Sequence, residues 1–195
     1  MSSDEDITTY RSRPAMAVGV LLIAVGLWMV IDTLIRGDGD TKWLAIAVVV
    51  FFAILVVALT LRSAVLVGPE RLVIRNPFRT IVVPWGAVER VRAEYSIEVR
   101  ADDRSFYIWA IPVSLRERKR ALRQQGRAAA EDPYGRGGAH DLPQLSHADQ
   151  VVDDLRGMSE QFAKASTGPV QVHWSPEILG GLAVSGLASV LLGLL

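Results

Sequence analysis

Three stretches of this chain run without a charged side chain for about the thickness of a bilayer, and they limit its architecture more than any other feature. Residues 14–31 hold 18 such positions, PAMAVGVLLIAVGLWMVI, and the apolar character continues to Ile35. Residues 43–61 add 19 more, with Thr60 the only polar side chain, and residues 178–195 add a further 18. A helix rising 1.5 Å per residue needs about 20 residues to cross about 30 Å of hydrocarbon. The first two runs lie close together, joined by the turn-like RGDGDTK (36–42), and predict a helical hairpin. As a cleaved signal, the first run has too long an apolar core and lacks an A-x-A site. The expected spans are therefore 14–35, 43–61 and 177–195.

Flanking Arg and Lys give an expected orientation. Arg11, Arg13, Arg62, Arg71, Arg75 and Arg79 lie on one side of the hairpin, against Arg36 and Lys42 in its loop. The rule that basic residues stay inside places the N-terminus and the following domain in the cytoplasm, and the 36–42 loop and the C-terminus outside. The chain is then expected to be a multi-pass protein of a bacterial cell membrane. Residues 1–13 are expected to be a disordered cytoplasmic tail. Asp32 is expected to be interfacial, beside Arg36, and not a proton relay.

Between the spans the pattern changes to short alternating runs. Residues 64–67, 71–75 and 80–83 are separated by Gly68-Pro69-Glu70 and Asn76-Pro77-Phe78-Arg79, which is turn chemistry. Val91, Ala93, Tyr95, Ile97, Val99 and Ala101 then share one face, with Arg92, Glu94, Ser96, Glu98 and Arg100 on the other. Period two predicts two strands that break near Tyr95-Ser96, each with one wetted face. Asp102-Asp103 makes a tight turn into an aromatic strand over 105–110, stopped by Pro112. About six short strands with short turns predict an antiparallel meander closed into a sandwich or barrel. Farther on, Val151, Leu155, Met158 and Phe162 recur at helical spacing after Ser146 and Asp149, giving an amphipathic helix that can close the open end. A seventh strand is not evident.

Asn76, Pro77, Phe78 and Arg79, then Pro84, Trp85 and Val88, then Trp109, Ala110, Ile111 and Pro112 carry a resemblance. With two N-terminal spans ahead of them, they resemble the bacterial pleckstrin-homology (PH)-like membrane proteins of actinobacteria. The resemblance covers about residues 63–112 and, more loosely, the closing helix. It implies a PH-like antiparallel β roll capped by a C-terminal α-helix, here over 63–166, with a basic insertion at 113–145. PH domains that bind inositol phosphates use a basic loop between their first two strands. The corresponding loop here, Gly68-Pro69-Glu70, is short and acidic.

Within the insertion, Ser114 and Glu117 form a capping box ahead of a helix over 115–130 that carries Arg116, Arg118, Lys119, Arg120, Arg123 and Arg127. These six could contact anionic lipid, or the helix could simply be solvated, since its apolar stripe is thin. It lacks the interleaved aromatic residues of a single-strand nucleic-acid platform, and the chain as a whole has 21 basic and 21 acidic residues, so no nucleic-acid partner is expected. His140, His147 and Asp141 do not make a preorganised metal site. No nucleophile–base pair or phosphate loop has a local signature, so neither a catalytic residue nor a cofactor is expected. In the last span, Gly181, Ser185, Ser189 and Gly193 recur every four residues, a stripe for close packing on the hairpin or, alternatively, for self-association into a homo-oligomer.

The expected function is therefore non-catalytic. The chain would sit in the lipid bilayer and present a cytoplasmic PH-like domain to a membrane or cytoplasmic protein. Anionic-lipid sensing through the basic helix is the first alternative, and a small transporter or membrane-enzyme subunit the second.

Overall fold

The structure, a computed structural model, describes residues 7–37, 39, 41–93, 96–111, 123 and 147–194. Three helices are long and apolar enough to cross a membrane: α1 (Arg13–Arg36), α2 (Thr41–Val56) with its π-helical continuation to Arg62, and α4 (Pro176–Gly193). Ser12 caps α1 by accepting from the Ala15 N–H at 3.3 Å, and Pro14 occupies the first turn, where its missing N–H costs nothing. Hydroxyls inside the apolar helices are satisfied locally. Thr60 donates to the Val56 carbonyl at 2.7 Å, Ser185 to Gly181 at 2.7 Å and Ser189 to Ser185 at 2.8 Å. Asp32 pairs with Arg36 at 3.2 Å, one turn away, which neutralises the acid at the helix end. Helix α2 packs between α1 and α4, while Val20, Leu21, Leu27, Trp28, Val184 and Leu187 project outward exposed.

The remaining strands form two antiparallel sheets. One has the order β1 (Thr8–Tyr10), β2 (Ala64–Val67), β3 (Arg71–Arg75), β4 (Arg79–Pro84), β8 (Gln171–Trp174). The other has the order β5 (Val88–Ala93), β6 (Ile97–Ala101), β7 (Arg104–Ile108). Alternation sets the faces: Val91, Ile97, Val99, Ala101, Phe106 and Ile108 point inward and meet Val65, Leu72, Ile74, Ile81 and Val83 from the larger sheet. Each such Val, Leu, Ile or Phe side chain adds about 1.5–3 kcal/mol by leaving water. Helix α3 (His147–Phe162) closes the core with Ala148, Val151, Val152 and Leu155 buried and Met158 and Phe162 partly so. It also bridges the two sheets. Tyr10 of edge strand β1 donates to Asp154 at 3.1 Å, and Arg156 donates to the carbonyl of Val91 on edge strand β5 at 3.0 Å. The Arg156 bond occupies a backbone group of an edge strand that could otherwise pair with another chain. Burial first, then the Asp154 hydrogen bond, raises the Tyr10 phenol above its ordinary value. At the β6–β7 turn, Asp102 and Asp103 both have positive φ, 49° and 56°, as a type I′ hairpin requires.

Two expectations are corrected. The N-terminal tail is not disordered throughout, since Thr8–Tyr10 pairs with β2 in register Thr9↔Leu66. The strand missing from the sequence reading is β8, which pairs with β4 and runs directly into α4. The sheet thus includes strands on both sides of residues 63–166.

Candidate functional site

The chain direction gives the larger sheet two unlike ends. Strand β1 leads into α1, β2 leaves α2 and β8 leads into α4, so all three helices join the sheet at one end. That near end is cross-linked. Arg62, at the end of the π-helical turn, donates to Thr80 Oγ1 at 3.4 Å and to Ser175 Oγ, while the Ser175 N–H donates to the Phe78 carbonyl at 2.9 Å. Asn76 is buried and ties the β3–β4 turn to β7. Its Nδ2 donates to the Tyr107 carbonyl at 2.8 Å, and its Oδ1 accepts from the Trp109 N–H at 3.3 Å.

The far end carries the Gly68-Pro69-Glu70 turn, so the loop in which inositol-phosphate-binding PH domains hold their ligand points away from the helices. It is clamped by a fully buried Trp85, whose Nε1 donates to the Gly68 carbonyl at 2.9 Å. Ser166, beyond the end of α3, accepts from the Trp85 N–H at 3.0 Å and donates to the Glu70 carbonyl, and its own carbonyl accepts from the Gly86 N–H at 2.7 Å. A Cβ on Gly86 would lie 2.6 Å from that carbonyl and 2.8 Å from Ala163 O, so only glycine allows the approach.

Around this clamp lie two concavities separated by the Glu70–Arg71 ion pair, 3.0 Å apart. One, of about 300 Å3, is lined by Ile7, Leu66, Gly68, Pro69 and Val73 beside the pair. The other, of about 380 Å3, is lined by Val82, Pro84, Gln171 and the 165–169 segment. Leu66, Val73 and Val82 are directly paired across β2, β3 and β4 and are only half-buried, so they form an apolar strip running under both.

The outer face of the smaller sheet is charged. Glu98 is 8% exposed and pairs with Arg92 at 2.8 Å. A hydrogen bond from Ser105, then the Arg92 bond, holds its carboxyl below the ordinary value. Arg90 and Arg100 stand directly opposite one another, a like-charge pair that Glu89 relieves by binding Arg100 at 3.0 Å.

Of the residues singled out in the sequence, Asn76 and Trp85 are buried braces of the two ends, Pro77 is buried, and Pro84 lines the larger concavity. Arg79 lies over the Trp174 ring, and Trp109 is exposed. Pro112, Arg116, Arg118, Lys119, Arg120 and Arg127 lie outside the described residues, as do His140 and Asp141; Arg123 is exposed. Gly181 faces Ile54 and Gly193 faces Leu44, both on α2, and Ser185 is buried. Among the described residues no three His, Cys, Asp or Glu side chains group as a metal site would require. Sequence reasoning missed Arg62, Ser166 and Ser175. Arg62 registered only as a flanking charge, and a lone serine beyond a helix carries no periodic signal.

Residues 62–133 match the family profile of the bacterial PH domain, and the two sheets and the closing helix form a PH-like antiparallel fold. The match covers β2 through β7 and stops short of α3 and β8. No curated protein and no solved structure matches the chain.

Proposed function

We propose that this chain, whose residues 62–133 carry a bacterial PH domain, is a non-catalytic integral membrane protein that docks a protein partner on the far end of that domain. The observation that carries the reading is the placement of the apolar strip Leu66–Val73–Val82 with its two concavities. The strip crosses the middle of the larger sheet, on the side away from the core, and its two concavities extend from it to the rim opposite the three helices, which Trp85 and Ser166 stiffen. Half-buried aliphatic side chains around one ion pair suit an extended peptide that offers apolar side chains to the strip and a carboxylate to Arg71. With α1, α2 and α4 in the bilayer, the partner meets the domain on the cytoplasmic side, as the basic flanks favour.

A photo-crosslinking side chain placed at Val73 or Val82 of the full chain, in its own membrane, tests the reading. A discrete adduct is expected from both positions and none from Gly157, which is exposed on α3. Equal labelling from all three, or no adduct from Val73 and Val82, would remove the assignment.

A further inference from the structure

We infer that the near end of the domain is a seat for an anionic phospholipid headgroup, with Arg79 as the phosphate ligand and Trp174 and Trp109 as anchors beside it. The inference rests on the reading of α1, α2 and α4 as membrane spans. Arg79 stands opposite Trp174 in the β4–β8 ladder, and across the β3–β4 turn its carbonyl accepts the Asn76 N–H. Asn76 Oδ1 in turn holds the Trp109 backbone. A continuous row, Trp109–Asn76–Arg79–Trp174, therefore crosses the end of the domain where the helices leave it.

The two outer members are 64% and 61% exposed. Indole rings at the mouth of three apolar helices are poorly placed in water and well placed in the headgroup layer, which takes both the ring and its N–H. The Arg79 guanidinium lies 5.9 Å above the Trp174 ring centroid. Among the described residues it makes no ion pair or side-chain hydrogen bond. A cation–π contact holds the guanidinium beside the ring without using its N–H donors, which remain open to a phosphate. The surrounding charge has the same sign. Arg11 and Arg13 are exposed at the start of α1, and Arg75 is exposed one strand from Thr80. The nearby carboxylate, Glu177, sits in the first turn of α4, where the helix dipole favours it. Free phosphate could meet the same guanidinium, but it gives the two exposed indoles no reason to flank it. A lipid surface does.

The test uses the full chain in vesicles of one part phosphatidylglycerol to two parts phosphatidylcholine, with one lipid or the other brominated high on its acyl chains. Subtracting the Trp174→Phe signal isolates quenching at Trp174. The expected result is about fivefold stronger quenching of Trp174 per mole of brominated lipid when the anionic lipid carries the bromine, the preference one well-placed arginine supports. Arg79→Gln should bring the two lipids to parity, while Arg79→Lys retains part of the preference and guards against a folding defect in the glutamine variant. Parity in the unmodified chain, a preference that survives Arg79→Gln, or a Trp174 that no lipid quenches would each overturn the assignment. Trp28, well inside α1, separates this failure from that of the membrane reading. If Trp28 is quenched and Trp174 shows no preference, only the headgroup seat falls; if Trp28 is not quenched, both fall.

Discussion

The same five strands, β1 to β4 and β8, give the larger sheet two ends that differ in how they are held. The near end is fixed by polar side chains reaching between elements far apart in sequence: Arg62 to Ser175, and Asn76 to Tyr107 and Trp109. The far end is fixed by the packing of one fully buried ring, Trp85, whose indole N–H and the Ser166 hydroxyl bind backbone groups of the rim. Polar cross-links suit a boundary where the chain passes three times between domain and bundle, because each passage leaves backbone groups that need partners. A packed clamp suits a rim that must keep its shape with solvent on the other side. On the proposed function, one end anchors the domain and the other presents it.

Substitutions that strike one end and spare the other test this division. The largest effect is expected from Trp85→Ala. It opens a cavity and leaves the Gly68 carbonyl without its donor, costing about 3–5 kcal/mol. In a denaturant titration of the detergent-solubilised chain, the β-sheet signal should be lost early while helicity from α1, α2 and α4 persists. Simultaneous loss of both would mean that the two parts are not separable in this way. Asn76→Ala comes next, at about 1–3 kcal/mol, because it orphans the Tyr107 carbonyl and the Trp109 N–H. Its effect should be confined to the near end, with faster amide exchange at Trp109 and unchanged exchange at Gly86; faster exchange at both would blur the comparison.

The smallest effect is expected at Glu98, on the outer face of the smaller sheet and away from both ends. Its carboxyl is held below the ordinary value of 4.5, so its contribution to stability is present above that value. That contribution is lost as pH falls through the lower, folded value. Melting curves taken toward acid should therefore fall less steeply for Glu98→Gln than for the unmodified chain. Identical acid limbs would show that the Ser105 and Arg92 contacts do not hold the ionised form.

Much of this fold could be read from the sequence because burial imposes a period. Strands β2 and β3 run as the Gly/Pro punctuation indicates, and the inward face of β6 follows from alternation. The α3 face follows from the spacing Val151–Leu155–Met158–Phe162. The two edge strands beside the apolar helices carry no comparable signal. Thr8-Thr9-Tyr10 has the β-branched and aromatic composition of a strand, but three residues form one only when β2 supplies the partner, and the neighbouring charges resemble a tail. Gln171-Val172-His173-Trp174 alternates, yet its Trp and the proline after it equally describe a helix entering a membrane. The candidate sites were legible residue by residue and not as places. Asn76, Arg79, Trp85 and Trp109 stand out as signature residues, but which end of the sheet each serves depends on strand direction, which no local pattern states.

The chain has no cysteine, so a single introduced thiol can carry a spin label anywhere in it. Labels at His173, exposed at the near end, and at Glu70, exposed at the far end, can be compared in proteoliposomes whose lipid headgroups chelate a paramagnetic nickel ion. Strands of this length separate the two positions by roughly 15 Å along the sheet. Strong broadening at His173 with little at Glu70 is the predicted result. Equal broadening at both sites, or a stronger effect at Glu70, would contradict a domain held to the membrane at one end and presented at the other.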